Sequence, residues 1–121
     1  MTKRVKIYDE RNNSLIGDKI RVADTFLTRF KGLMLADDLQ EGEGLIITPC
    51  NSIHMCFMKY AIDAVFIDAS NKIVAIYENL RPWLGLSKIH SNVVSVIEVP
   101  SGLAKKLDLK IDDTLRLEYL Q

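Results

Sequence analysis

Five side chains able to bind a metal or attack a substrate crowd into one short stretch: Cys50, Ser52, His54, Cys56 and Met58. In a regular strand these even-numbered positions share one face, and Ile53, Met55 and Phe57 share the other as core. Soft donors on a common face invite a metal reading, but geometry limits it. Ligands of one ion lie within ~4 Å of each other, whereas residues i and i+4 of a strand are ~13 Å apart. Unless the chain bends after Pro49, only His54 and Cys56, at i and i+2, could share an ion, with His90 or Asp63 needed to complete the site. The thiols and Met58 are better read as small or adaptable core hydrophobes, so no metal and no cofactor is expected.

Nucleophilic catalysis needs a thiol or hydroxyl beside a base that a third group orients. Cys56, His54 and Asp63 supply the residue types, but neighbours at i and i+2 on a strand point the same way rather than at each other. Neither a Gly-x-Ser-x-Gly elbow nor a cysteine-protease signature occurs. Asp63 with Glu98 is the one carboxylate pair worth considering for acid-base work, since both border apolar runs. The plainer role for Asp63 is to accept backbone N–H bonds at a strand start. Asp68 and Asp112-Asp113 read as turn residues. Gly42-x-Gly44 lacks the third glycine and the strand-to-helix context of a phosphate loop. Trp83, after Pro82, is either an exposed stacking platform or a lid over a small core.

The elements that must position these residues follow from periodicity. Val5 to Tyr8 alternates, Arg11-Asn12-Asn13-Ser14 is turn chemistry, and Lys19 to Val22 is the partner strand. Phe26, Leu27, Phe30, Leu33 and Met34 then fall on one helical face, with Asp24 placed to cap it. Leu45 to Thr48 is a short strand stopped by Pro49, and Ile53 to Met58 continues as strand. Ala64 to Ile67 and Lys72 to Tyr77 form a hairpin through Asp68-Ala69-Ser70-Asn71. Residues 79 to 91 have no sustained period and read as a long loop. Val93 to Val99 is a strand, Pro100-Ser101-Gly102 opens a short helix ending near Leu107, and Thr114 to Leu117 is the last strand. Without regular strand-helix alternation a doubly wound sheet is excluded. The expectation is a mainly β fold with two short helices, bordering on α+β: a single compact, mainly antiparallel barrel or sandwich-like domain over residues 1–121.

The 121 residues, 48% apolar and 26% charged, suit one soluble domain large enough to bury its own core. Sixteen basic side chains balance sixteen acidic ones, which argues against gripping nucleic acid or anionic lipid. Charge is nonetheless uneven: residues 1 to 36 hold eight basic and four acidic side chains. Two cysteines are too few for a disulfide framework, and along an extended chain Cys50 and Cys56 would lie ~20 Å apart, well beyond disulfide reach. The basic start Met1-Thr2-Lys3-Arg4 meets Asp9 and Glu10 before any apolar run, so a cytoplasmic protein is expected.

Several motifs in register resemble one known family. Arg29-Phe30-Lys31-Gly32-Leu33-Met34, the run Cys50 to Lys59, Ile62-Asp63-Ala64-Val65-Phe66-Ile67-Asp68, Pro82-Trp83 and Glu98-Val99-Pro100-Ser101-Gly102 look like the DUF192 (UPF0127) family, over residues ~20 to 118. The resemblance implies one β-rich domain and carries no assigned activity. The chain departs from the family pattern at Ala61, at Ser101-Gly102 and at Asp112-Asp113. Cys56 stands where an aromatic or other non-ligand residue is common, which further weakens a metal reading.

Taken together, these residues assign no catalytic role. The favoured expectation is a small non-enzymatic binding or accessory domain whose polar face around His54 meets a protein partner or small ligand. Its candidate residues are Arg29, His54, Lys59, Asp63, Arg81 and Trp83, which mix charge with an aromatic anchor. The alternative is a small hydrolase or isomerase using His54 with Asp63 or Glu98, and a third reading makes all six residues fold determinants. A histidine within hydrogen-bond reach of a carboxylate in a concave pocket would favour the enzyme.

Overall fold

Alternating side chains bury one face of the first hairpin: Val5 and Ile7 on β1 (Arg4–Asp9) and Ile16, Ile20 and Val22 on β2 (Ser14–Ala23). The computed structural model describes residues 3–25, 28, 29, 32, 38–55 and 58–120. Its remaining strands are β3 (Glu43–Ile47), β4 (Ile62–Ile67), β5 (Ile73–Leu80), β6 (Ser95–Pro100) and β7 (Leu115–Leu120), with one helical turn, α1 (Leu103–Lys106), before β7. Among the described residues they form a single seven-stranded sheet in the order β5-β4-β6-β3-β2-β1-β7. Neighbours are antiparallel except β2 and β3, which run parallel.

Both faces of the sheet carry core, which is why β4 and most of β6 are buried without alternation. The inner face gathers Val5, Ile7, Ile20, Val22, Ile46, Val65, Ile97 and Val99. The outer face gathers Leu45, Ile47, Ala64, Phe66 and Val96, covered by Ile53, Met55, Met58 and Val93 from the connecting segments. Of the two architectures expected, the two-sided arrangement is compatible with the sandwich-like one, and the barrel is not formed because the sheet does not close. Among the described residues the edge strands β5 and β7 are joined near an antiparallel bridge between Lys72 and Thr114, where the Leu115 amide donates to the Asn71 carbonyl at 2.8 Å, the Ile73 amide to that of Asp113 at 2.8 Å and the Asp112 amide to that of Ile73 at 2.9 Å. Side chains do the rest: Leu103, Ala104 and Leu107 pack on the inner core with Ile76 and Leu117, and no continuous ladder closes the sheet.

The helix expected from Phe26 to Met34 lies largely outside the described residues. Its entry is described, and Thr25 rather than Asp24 caps it: the Thr28 amide donates to the Thr25 hydroxyl at 3.1 Å, while Asp24 takes Lys3 Nζ at 2.8 Å. Of the strand expected from Ile53 to Met58, Cys56 and Phe57 lie outside the described residues, and the described part contributes an isolated bridge at His54. The Met55 carbonyl accepts the amides of both Met58 and Trp83, and Met58 is buried in the same cluster as Ile53 and Met55, not on the face opposite to them that strict alternation predicts. At the far end Arg11 ties the β1–β2 turn to the turn before β7, donating to the Asp108 carbonyl at 2.8 Å and to Asp113. No helix among the described residues is long and apolar enough to cross a membrane.

Candidate functional site

The loop from Arg81 to His90 is irregular in sequence but is fixed along its length against residues 51–55. The Ile53 amide donates to Ser87 Oγ at 2.9 Å, and the Ser87 amide returns to the Ile53 carbonyl at 3.0 Å. The Met55 amide donates to the Gly85 carbonyl at 2.8 Å, and the His90 amide to that of Asn51 at 3.0 Å. His54 bridges Leu86 across this pairing. A Cβ at Gly85 would stand 2.8 Å from Met55 Cγ and 3.0 Å from the Arg81 backbone, so the close approach requires glycine. From β5, the Tyr77 hydroxyl lies 2.8 Å from His90 Nε2 and accepts the Lys88 amide, and the rings of Phe66, Tyr77 and His90 pack together beneath. His90 is therefore occupied as a structural residue.

This anchoring leaves four large apolar side chains pointing outward. Trp83 is 53% exposed, Leu84 74%, Leu86 70% and Ile89 77%. His54, Arg81 and Lys88 are exposed beside them, and Lys59 is exposed next to the buried Met58. The ridge unites His54, Arg81 and Trp83 from the expected binding set. Its aliphatic members, Leu84, Leu86 and Ile89, were missed by the sequence reading. The available signal was three apolar residues in a loop with no periodicity to bury them.

Asp63 is placed elsewhere. It points to the inner face, fully buried, and spends its carboxylate on the backbone: Oδ1 accepts the Asn79 amide at 2.8 Å, while Oδ2 accepts the Gly102 and Ala104 amides at 3.1 and 2.9 Å. It thereby caps α1 and joins β4 to β5. Glu98 is the register partner of Ala64, and Val99 that of Asp63, so the two carboxylates lie on opposite faces of the sheet. The expected Asp63–Glu98 pair is thus corrected. Among the described residues no hydrogen bond or ion pair joins His54 to either carboxylate.

Glu98 is only 5% exposed on the outer face, and no described residue hydrogen-bonds its carboxyl group, so burial alone pushes it up to about 7. Two other polar groups sit in its field. Burial, and then Glu98, raise the Tyr60 hydroxyl to about 12, and that hydroxyl has no partner among the described residues. Burial also pushes the Cys50 thiol up, while its Sγ donates to the Ser52 carbonyl at 3.1 Å. A thiol so placed is not an activated nucleophile. Arg29 donates through Nη1 to the Pro49 carbonyl at 3.1 Å, which commits its guanidinium to the chain beside Cys50. Among the described residues no group of three or more metal-binding side chains converges.

Comparison with known proteins places these features in context. The model of the DUF192 family, described as Uncharacterized ACR, matches residues 7–117. A UPF0127 protein of Thermococcus sibiricus is 35% identical over 104 residues, 83% of this chain and 66% of the relative, so the chain spans slightly under two thirds of that protein. A UPF0127 protein of Thermococcus kodakarensis is 32% identical over 113 residues, 90% of this chain and 71% of the relative. A crystal structure of a protein of unknown function from Novosphingobium aromaticivorans shares the fold with a TM-score of 0.80 at 22% identity, covering 93% of this chain and 82% of that one.

Proposed function

The chain belongs to the DUF192 family, and from that premise we propose that it is a small non-enzymatic binding domain whose ridge around His54 docks on a protein partner. One observation carries the reading: Trp83, Leu84, Leu86 and Ile89 are more than half exposed within one short segment whose backbone is pinned. Contiguous apolar exposure costs solubility, and on soluble proteins it marks interaction surfaces. A pinned loop also gives up little conformational entropy on docking. Arg81 and Lys88 are exposed cations in the same segment, so the partner surface is apolar with an acidic rim. Trp83 is the natural anchor, since aromatic side chains supply most of the energy at such interfaces. The partner is a cytoplasmic protein, with neither nucleic acid nor membrane involved, in keeping with the balanced net charge. A hydrolase or isomerase has less support, because its histidine and its two carboxylates occupy three separate environments.

The test is site-specific photo-crosslinking in the native cell from position 86 or 89, with position 119 on β7 as control. One protein trapped from 86 and 89 but not from 119, and lost in Trp83→Ala, is the expected result. Equal trapping from all three positions, or none, would overturn the proposal.

A further inference from the structure

A second feature lies away from the ridge, at the β1–β2–β3 end of the outer face. Arg4 and Arg21 are direct register partners there, and Lys19 precedes Arg21 by two residues on the same face. Like charges directly opposed across a strand pair are destabilising unless something neutralises them. Among the described residues none of the three cations takes part in an ion pair. They line a groove of about 160 Å³ together with Asp38, Leu39, Glu43 and Gly44. Glu43 is the register partner of Lys19 and Asp38 lines the same groove, but one oxygen of each acid is already engaged: Asp38 Oδ1 and Glu43 Oε1 each accept a backbone amide at 2.7 Å, from Leu39 and Gln40.

We propose that this groove is a binding site for a small anion, held by Arg4, Arg21 and Lys19. The volume suits a molecule of a few heavy atoms bearing a phosphate or carboxylate group. An anion there neutralises the opposed arginines and converts a repulsive cluster into charge-assisted hydrogen bonds. The inference is independent of the ridge, which uses other residues on other segments.

Titration of the whole protein with inorganic phosphate and, separately, with succinate, followed by amide NMR against sodium chloride at matched ionic strength, tests it. Saturable shifts confined to Arg4, Lys19, Arg21 and Gly44 support the site, and the probe that saturates first distinguishes a phosphate from a carboxylate ligand. Arg21→Gln should weaken binding about fivefold or more, as loss of one partly exposed charge contact predicts, and should raise Tm in the absence of probe by relieving repulsion. Lys19→Gln, on an exposed strand position, serves if Arg21→Gln fails to fold. Shifts from both probes that stay linear and match those from chloride would overturn the proposal. So would unchanged affinity in either variant.

Discussion

Glu98 lends itself to a decisive measurement because its ionisation is opposed by burial alone. An ordinary glutamate loses its proton near 4.5, whereas Glu98 holds its proton to about 7. Below the lower value both folded and unfolded chains are protonated, and the residue contributes nothing to the pH dependence. Between the two values the folded protein keeps a proton that the unfolded chain has released, so stability falls as pH rises, by up to ~1.4 kcal/mol per pH unit. Above about 7 the loss levels off, and the gap between the two values corresponds to roughly 3 kcal/mol. Glu98→Gln removes this titration. Urea unfolding of both proteins at several pH values from 4 to 8 isolates it, because every other group, including the raised Asp9, cancels in the difference. The expected outcome is that the variant gains roughly 3 kcal/mol relative to the parent between the acid and alkaline ends, whatever fixed cost the buried amide adds. Profiles that stay parallel within about 0.5 kcal/mol would show that Glu98 is solvated or paired in the folded protein.

Three further outcomes follow from the geometry. Asp63→Ala leaves three backbone amides without their acceptor, two of them at the start of α1; unfolding experiments should register a loss of about 3 to 5 kcal/mol, and a loss under 1 kcal/mol would mean the carboxylate is not a structural cap. Gly44→Ala sets a Cβ 2.6 Å from the Glu98 carbonyl oxygen and 2.8 Å from Ile20 Cδ1, so a drop of about 1 to 3 kcal/mol is expected by urea titration. His54→Ala, at an exposed position, should stay within ~1 kcal/mol of the parent in the same assay; a much larger loss would make His54 a fold determinant.

Much of the architecture is local in origin and was therefore legible in the chain. The hairpin around Asp68-Ala69-Ser70-Asn71 is dictated by β-branched runs flanking a polar turn, and the structure pairs Val65 with Ile76 across it. The helical turn after Pro100 and the alternation that buries Ile53 and Met55 and exposes His54 were equally readable. The motif order identified the family, because separated motifs in register persist however the chain folds. Nonlocal pairing was another matter. Whether β5 and β7 would join was decided by side chains of α1 and by one bridge, and no local pattern encodes that choice. Asp63 and Glu98 both border apolar runs in sequence, yet a register in which Asp63 faces Val99 and Ala64 faces Glu98 sends them to opposite faces. The opposed arginines at 4 and 21, and the pinning of 83–90 against 51–55, exist only once distant segments are brought together. The sequence by itself determined the kinds of element and the family, since those depend on neighbours along the chain. Only the tertiary structure decided which chemical groups meet, because a shift of one residue in strand register reverses the face of every side chain.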